Sequence, residues 1–430
     1  MKQFFLFQER KTSYKQETVA GITTFLSMAY ILIVNPIILS QSGMDQGAVF
    51  TATALSAIIG SLLIGLLANF PIGIAPSMGL NTFFTFSVCI GMGIPWQTAL
   101  TGVFISGVLF IILSLLKIRE MIINVIPQDL KHAIAGGIGF FVAFIGLKNA
   151  GMVVANEATF VSIGDFRSPT VLLAAFGFMI TVVMMVRGIG GAIFFGMVIS
   201  TAAGMLTGLI DPPKSIVGAV PSLEPTFGTV FAHLDQVLSP EMLAVIFTFL
   251  FVAFFDTAGA LIAIASQAGL MKENKIPNAG RALLADSSTT VAGAILGTST
   301  TAAMIESSAG IAAGGRTGFT SVVISFMFAI ALFFSPLLSV VTAEVTAPAL
   351  IIVGALMATE VRFINWSRLE VAIPAFITLI MMPLTSSVAS GIALGFIVYP
   401  VTMITLGKRK ELHPLMYVLL IAFLAYFIYL

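Results

Sequence analysis

The chain has 430 residues, of which 58% are hydrophobic and 9% charged, with 20 Lys and Arg against 19 Asp and Glu. Soluble domains carry roughly 25% charged residues, so a soluble protein is excluded. A formal net charge of +1 gives no support to nucleic-acid binding, and the single cysteine, Cys89, excludes an internal disulfide framework.

The chain opens with a short basic segment, 1–18, holding Lys2, Arg10, Lys11 and Lys15. It lacks the cleavable apolar core of a signal peptide. Apolar runs follow at roughly 19–41, 48–70, 72–90, 96–116, 133–151, 169–186 and 190–210. Each is near the length of about 20 residues that crosses a bilayer. None alternates as the strand of a membrane β-barrel must. A polar segment, 211–240, contains Pro212, Pro213, Pro221, Pro225 and Pro240 and reads as a linker. Further runs occupy 241–266, 279–296, 298–315, 318–341, 347–361, 369–384 and 386–406. The remainder, 407–430, ends in an apolar piece, 413–430, that either spans the membrane or lies in its interface. The expectation is an all-α polytopic membrane protein of 14 spans in two seven-span units, 19–210 and 241–406.

Threading those spans from a cytoplasmic N-terminus places 17 of the 20 Lys and Arg on the cytoplasmic side. Only Lys148, Arg167 and Lys214 fall outside. Basic residues concentrate in cytoplasmic loops, which supports this orientation in a cell (plasma) membrane, the inner membrane where there are two.

The two units resemble each other. Thr24-Phe25-Leu26 aligns with Thr248-Phe249-Leu250 at an offset of 224, and Ser40-Gln41-Ser42-Gly43 with Ser266-Gln267-Ala268-Gly269 at 226. Seven spans is an odd number, so the second unit enters the membrane from the opposite side. That is an inverted repeat, a recurrent architecture of secondary transporters. The third span of each unit is interrupted. Pro71, Gly73, Pro76 and Gly79 precede Asn81; Gly297 and a run of hydroxyls, Thr298-Ser299-Thr300-Thr301, precede Glu306 at Asn81 plus 225. Proline removes a helical donor and glycine admits unusual backbone angles. Paired interruptions at matching positions predict extended backbone followed by half-helices, which marks a transporter binding site.

Ionisable residues inside membrane spans are functional candidates by default. Asp256 stands in the apolar stretch Phe254-Phe255-Asp256-Thr257, and no Lys or Arg lies in the core of any span to neutralise it. Glu306 has the same standing. Asn81 is a weaker candidate, because an amide can simply bond a neighbouring helix. Asp286 can bond backbone or face water, and His132, His233 and His413, all near loops, read as surface residues. No clustered His/Cys set offers a metal site, and no cofactor motif is present.

Gly79-Leu80-Asn81, Asp256-Thr257, Thr298-Ser299-Thr300-Thr301 and Glu306-Ser307-Ser308-Ala309-Gly310 resemble the nucleobase–cation symporter family, in particular its purine branch, the AzgA-like adenine/guanine/hypoxanthine permeases. The resemblance covers nearly the whole chain. It implies a core domain from spans 1–4 and 8–11, a gate domain from spans 5–7 and 12–14, and proton-coupled uptake of a purine base. It places pocket roles on Asp256, Glu306 and Asn81, with Gly79, Thr257 and Thr301 in the same motifs. Ser307-Ser308-Ala309 stand where uracil and xanthine branches carry Asn-Asn-Gly-like residues, which argues against those substrates.

Chemistry points the same way. A purine is flat and neutral, with N–H donors and ring-nitrogen acceptors on its edge. Carboxylates accept paired N–H groups, and an amide both donates and accepts. Tyr30 and Phe255 offer aromatic faces. Two close carboxylates in a low dielectric do not both stay ionised, so Asp256 and Glu306 are the proton-coupling candidates. Asn81 is expected to select among purines. Sodium coupling remains an alternative, as does a xanthine/uracil or anion carrier of the same fold, although two carboxylates repel an anion. An enzyme is not expected. A homodimer is compatible with the sequence.

Overall fold

The computed structural model describes residues 2–116, 127–270 and 278–429, apart from some side chains within helices, among them those of Phe255 and Asp256. In chain order the first half holds α1 (Tyr14–Met28), α2 (Ile31–Ser40), α3 (Gln46–Leu63), β1 (Ile74–Pro76), α4 (Met78–Thr82), α5 (Trp96–Leu115), α6 (Gln128–Asn149), β2 (Val153–Asn156), β3 (Phe160–Ile163), α7 (Pro169–Val186) and α8 (Ala192–Leu206). The second holds α9 (Pro240–Gln267), α10 (Ala279–Leu296), β4 (Thr301–Ala303), α11 (Ser307–Ala312), α12 (Gly318–Ala331), α13 (Ala343–Ala358), α14 (Leu369–Thr385), α15 (Val388–Thr405) and α16 (Pro414–Tyr429).

The helices pack in two groups. In one, α1, α3, α5, α9, α10, α11 and α12 surround β1 and β4; in the other, α6 packs on α13 and α14, α14 on α15, and α7 on α8 and α13. Among the described residues, eight helices are long and apolar enough to cross a membrane, and four shorter apolar helices accompany them. The expected spans 72–90 and 298–315 are not continuous helices: the first divides into β1 and a helix that begins as α4 and runs on as a π-helix to Gly91, the second into β4 and the short helix α11. Segment 211–240 packs on the helices of the first half. Thr51, Thr98 and Thr101 of α3 and α5 donate to Pro221 O, Gln236 Oε1 and Val230 O at 2.9, 2.6 and 3.2 Å. The terminal apolar piece forms α16, which packs on α15 with Met416, Leu419 and Phe423 buried.

Local chemistry sets the helix limits near the centre. Asn69 adopts the left-handed conformation at φ 56° after α3, and Pro71 and Pro76 then keep the chain extended. Gly297 ends α10 at φ +106°, where a side chain would also meet Thr226. This is one position where only glycine fits without strain.

Candidate functional site

β1 and β4 are the two interruptions, and they pair with each other. The ladder is antiparallel, with Ile74 opposite Ala303, Ala75 opposite Ala302 and Pro76 opposite Thr301. Ser77 N donates to Thr300 O at 3.0 Å, and Met304 N to Gly73 O at 2.9 Å. Serines serve the remaining backbone. Gly73 N donates to Ser307 Oγ at 3.0 Å, Ile72 N to Ser321 Oγ at 2.9 Å and Ile74 N to Ser61 Oγ at 3.2 Å. An unsatisfied backbone group in a hydrocarbon interior costs several kcal/mol. These bonds let extended chain persist within the helical bundle.

A cavity of about 540 Å³ opens beside this crossing. One wall is built by Tyr30, Ser77, Met78, Gly79 and the run Ala302 to Glu306; the other belongs to α6 and to α13 with the turn that follows it. Ser77 and Glu306 each stand at the cap position immediately before a short helix, α4 and α11 respectively. Glu306 is half-buried, and its Oε1 accepts from the hydroxyl of fully buried Tyr30 at 2.6 Å. Tyr30 reaches it from the break between α1 and α2. The result is an oriented carboxylate at the cavity wall, one that accepts further N–H groups.

The other expected site residues are placed as follows. Gly79 lines the cavity, and a Cβ there would lie 2.6 Å from Ile138 Cγ2, so its bare backbone is what lets α6 approach. Asn81 is fully buried and is not among the lining residues. Its Nδ2 donates to Asn35 Oδ1 and its Oδ1 accepts from Ser299 Oγ. Asn35 continues the network to Thr53 Oγ1 at 2.7 Å and Thr298 Oγ1 at 3.0 Å. Thr301 is buried with its hydroxyl 3.1 Å from that of Thr290. Thr257 is buried and donates to Asp286 Oδ2 at 2.8 Å. Asp286 is therefore an interior carboxylate rather than a solvated one. Asp256 and Phe255 lie on α9, and their side chains are outside the described residues.

Three of the polar lining residues, Ser77, Gln128 and His132, were not among the site candidates read from the sequence. Ser77 was passed over beside its prolines. His132, read as a surface histidine, instead lines the cavity with Nδ1 2.8 Å from Glu360 Oε2. Gln128 joins them at the helix start. The signal for Ser77 existed, since a serine directly before a helix is a common cap. Nothing in the sequence links residue 132 to residue 360.

Interrupted helices that satisfy one another's backbone beside a ligand-sized cavity are the build of a membrane transporter. The sequence says which kind. A model described as a permease family matches residues 15–394, and the chain belongs to this family. It is 58% identical to the guanine/hypoxanthine permease PbuG of Bacillus subtilis (strain 168) over 439 residues, covering 100% of each chain. It is 42% identical to the adenine permease AdeP of Escherichia coli (strain K12), covering 99% of this chain and 95% of that one. Among solved structures, the transmembrane domain of the cyanobacterial bicarbonate transporter BicA superposes with a TM-score of 0.61 at 17% identity, over 90% of this chain and 97% of that one. SLC26A9 superposes with a TM-score of 0.64 at 9% identity, over 94% of this chain and 68% of that one. At such identities the structures establish the fold alone: a mostly helical, polytopic membrane fold. The relatives are permeases, not enzymes.

Proposed function

We propose that this chain is a secondary active transporter that imports purine nucleobases (adenine, guanine and/or hypoxanthine) by proton symport. The observation that carries the reading is the end-to-end identity with relatives named as purine permeases, joined to a Glu306–Tyr30 pair on the wall of a cavity able to hold a base. In this reading the base docks at the crossing. Glu306 accepts its edge N–H groups, and the backbone around Ser77 and Gly79 meets its other edge. An anion carrier of the same fold is disfavoured, because the carboxylate at the crossing repels an anion.

The proton is assigned to Asp256, with Glu306 as its partner in charge. The base is neutral, so a cotransported proton carries the only net charge. The membrane potential then contributes about 2.3 kcal/mol per 100 mV. The wider arrangement goes with it: 14 spans in two inverted units, a cytoplasmic N-terminus, and a group around the crossing, α1 to α5 and α9 to α12, that moves against the group of α6 to α8 and α13 to α15. The protein then sits in the plasma membrane, where a homodimer is compatible with it.

The test is uptake of radiolabelled hypoxanthine in cells lacking purine permeases, with adenine, guanine, xanthine and uracil as competitors. Purines are expected to compete and uracil not. Uptake is expected to rise as external pH falls and to collapse with a protonophore. Uptake that persisted without a pH gradient or potential but required sodium would replace the proton with that ion.

A further inference from the structure

The cavity changes character along its length. On α6, Gln128, Lys131 and His132 face it near the helix start, while Ala135 and Ile138 face it further in. Six residues separate His132 from Ile138, about 9 Å along a helix axis. Ile138 marks the level of the crossing, because it is the side chain against Gly79. The facing helix repeats the pattern in the opposite sense. Val353, Leu356 and Met357 line the inner part, and Thr359, Glu360 and Phe363 the outer part. An apolar collar therefore separates two polar zones, one at Glu306 and one at the mouth.

The mouth is built for more than solvation. His132 and Glu360 are paired at 2.8 Å with side chains 28% and 36% exposed, so a small molecule reaches both. The His132 ring lies 5.3 Å from that of Phe363 at an interplanar angle of 39°, and Phe363 is 52% exposed. A carboxylate that holds one partner retains acceptor sites, and the exposed Phe363 ring, with the Arg362 guanidinium 4.5 Å from its centroid, gives a base an aromatic and a cationic plane to stack on. At about 540 Å³ the cavity also falls in the range that holds drug-sized molecules, and a single bicyclic base at Glu306 leaves the mouth open.

We propose that this mouth is a second, weaker binding site for the same planar purine base. Glu360 accepts its N–H groups, and the rings of His132 and Phe363 receive its face. A base that leaves Glu306 crosses the collar and pauses here before reaching solvent. The inference rests on the purine-transport reading. In the competing account the His132–Glu360 pair only ties α6 to the turn after α13, and the base ignores it.

The experiment is equilibrium binding of radiolabelled hypoxanthine to the full-length protein in nanodiscs, with saturation-transfer NMR of unlabelled hypoxanthine on the same samples. The wild type is expected to saturate at two bases per chain in two phases. Glu306→Ala should abolish the tight phase and keep the weak one. Phe363→Ala and Glu360→Gln should each weaken the weak phase by about tenfold and leave the tight phase in place. Saturation at one base per chain overturns the second site, and so does a weak phase untouched by both mouth variants. Failure of the underlying reading looks different: hypoxanthine would then not bind the wild type in either phase.

Discussion

The two interrupted segments meet in one ladder but differ in what they present to the cavity. In the first, helix α4 starts two residues after the strand ends, so Asn81 lies within the helix and its amide is locked between Asn35 and Ser299. In the second, Met304, Ile305 and Glu306 intervene between strand and helix, and Glu306 stays at the cap, half-buried on the cavity wall. The reciprocal ladder bonds relate residues 77 to 304 and 73 to 300, which are 227 apart. By that offset Glu306 corresponds to Gly79 rather than to Asn81. One segment thus supplies scaffold and a bare backbone, and the other supplies the charge. A near-symmetric crossing becomes a one-sided cavity wall through a small shift in where each helix begins.

This contrast is open to mutation. The largest effect is expected for Glu306→Ala, which should lower purine uptake by roughly 100-fold, since bonds to a charged group contribute about 1.5–3 kcal/mol. Surface expression should be unchanged, and near-normal uptake would remove Glu306 from the site. Asn81→Ala should act on stability. It leaves buried partners unsatisfied at a cost of about 1–3 kcal/mol, read as a lower melting temperature in detergent with the competition ranking of bases unaltered. A changed ranking at an unaltered melting temperature would instead give Asn81 the selective role its sequence position suggests. Tyr30→Phe removes one donor from Glu306 and should raise the KM for hypoxanthine about tenfold. Ser77→Ala is the mildest, at fivefold or less in KM. An effect equal to that of Glu306→Ala would mean that both caps bind the substrate equally.

The interruptions were legible in the sequence because proline and glycine announce themselves. Glu306 was legible because a carboxylate within an apolar span needs a reason. The ladder register was not. Its residues, Ile74-Ala75-Pro76 and Thr301-Ala302-Ala303, carry no alternation, since both faces of the pair are buried. The alignment of the two halves therefore ran two residues away from the bonded one. The Asn35 link was hidden because an asparagine inside a span bonds whichever helix lies beside it. His132 was misjudged for a related reason. A residue at the end of a span is solvated or cavity-lining depending on which helix faces it, and α13 is more than 200 residues away in sequence.

The pairing of Gly73 with Met304 also bears on how the protein is made. At roughly 5–20 residues per second, a nascent chain that has inserted its first interruption waits on the order of 10–50 s before the complementary stretch leaves the ribosome. Meanwhile Ser61 is near enough in sequence to shield Ile74, but the amides of Ile72 and Gly73 have their partners, Ser321 and Ser307, still unsynthesised. The early half must borrow water, an insertase or a chaperone for those groups, and neither half made alone has the means to complete the crossing.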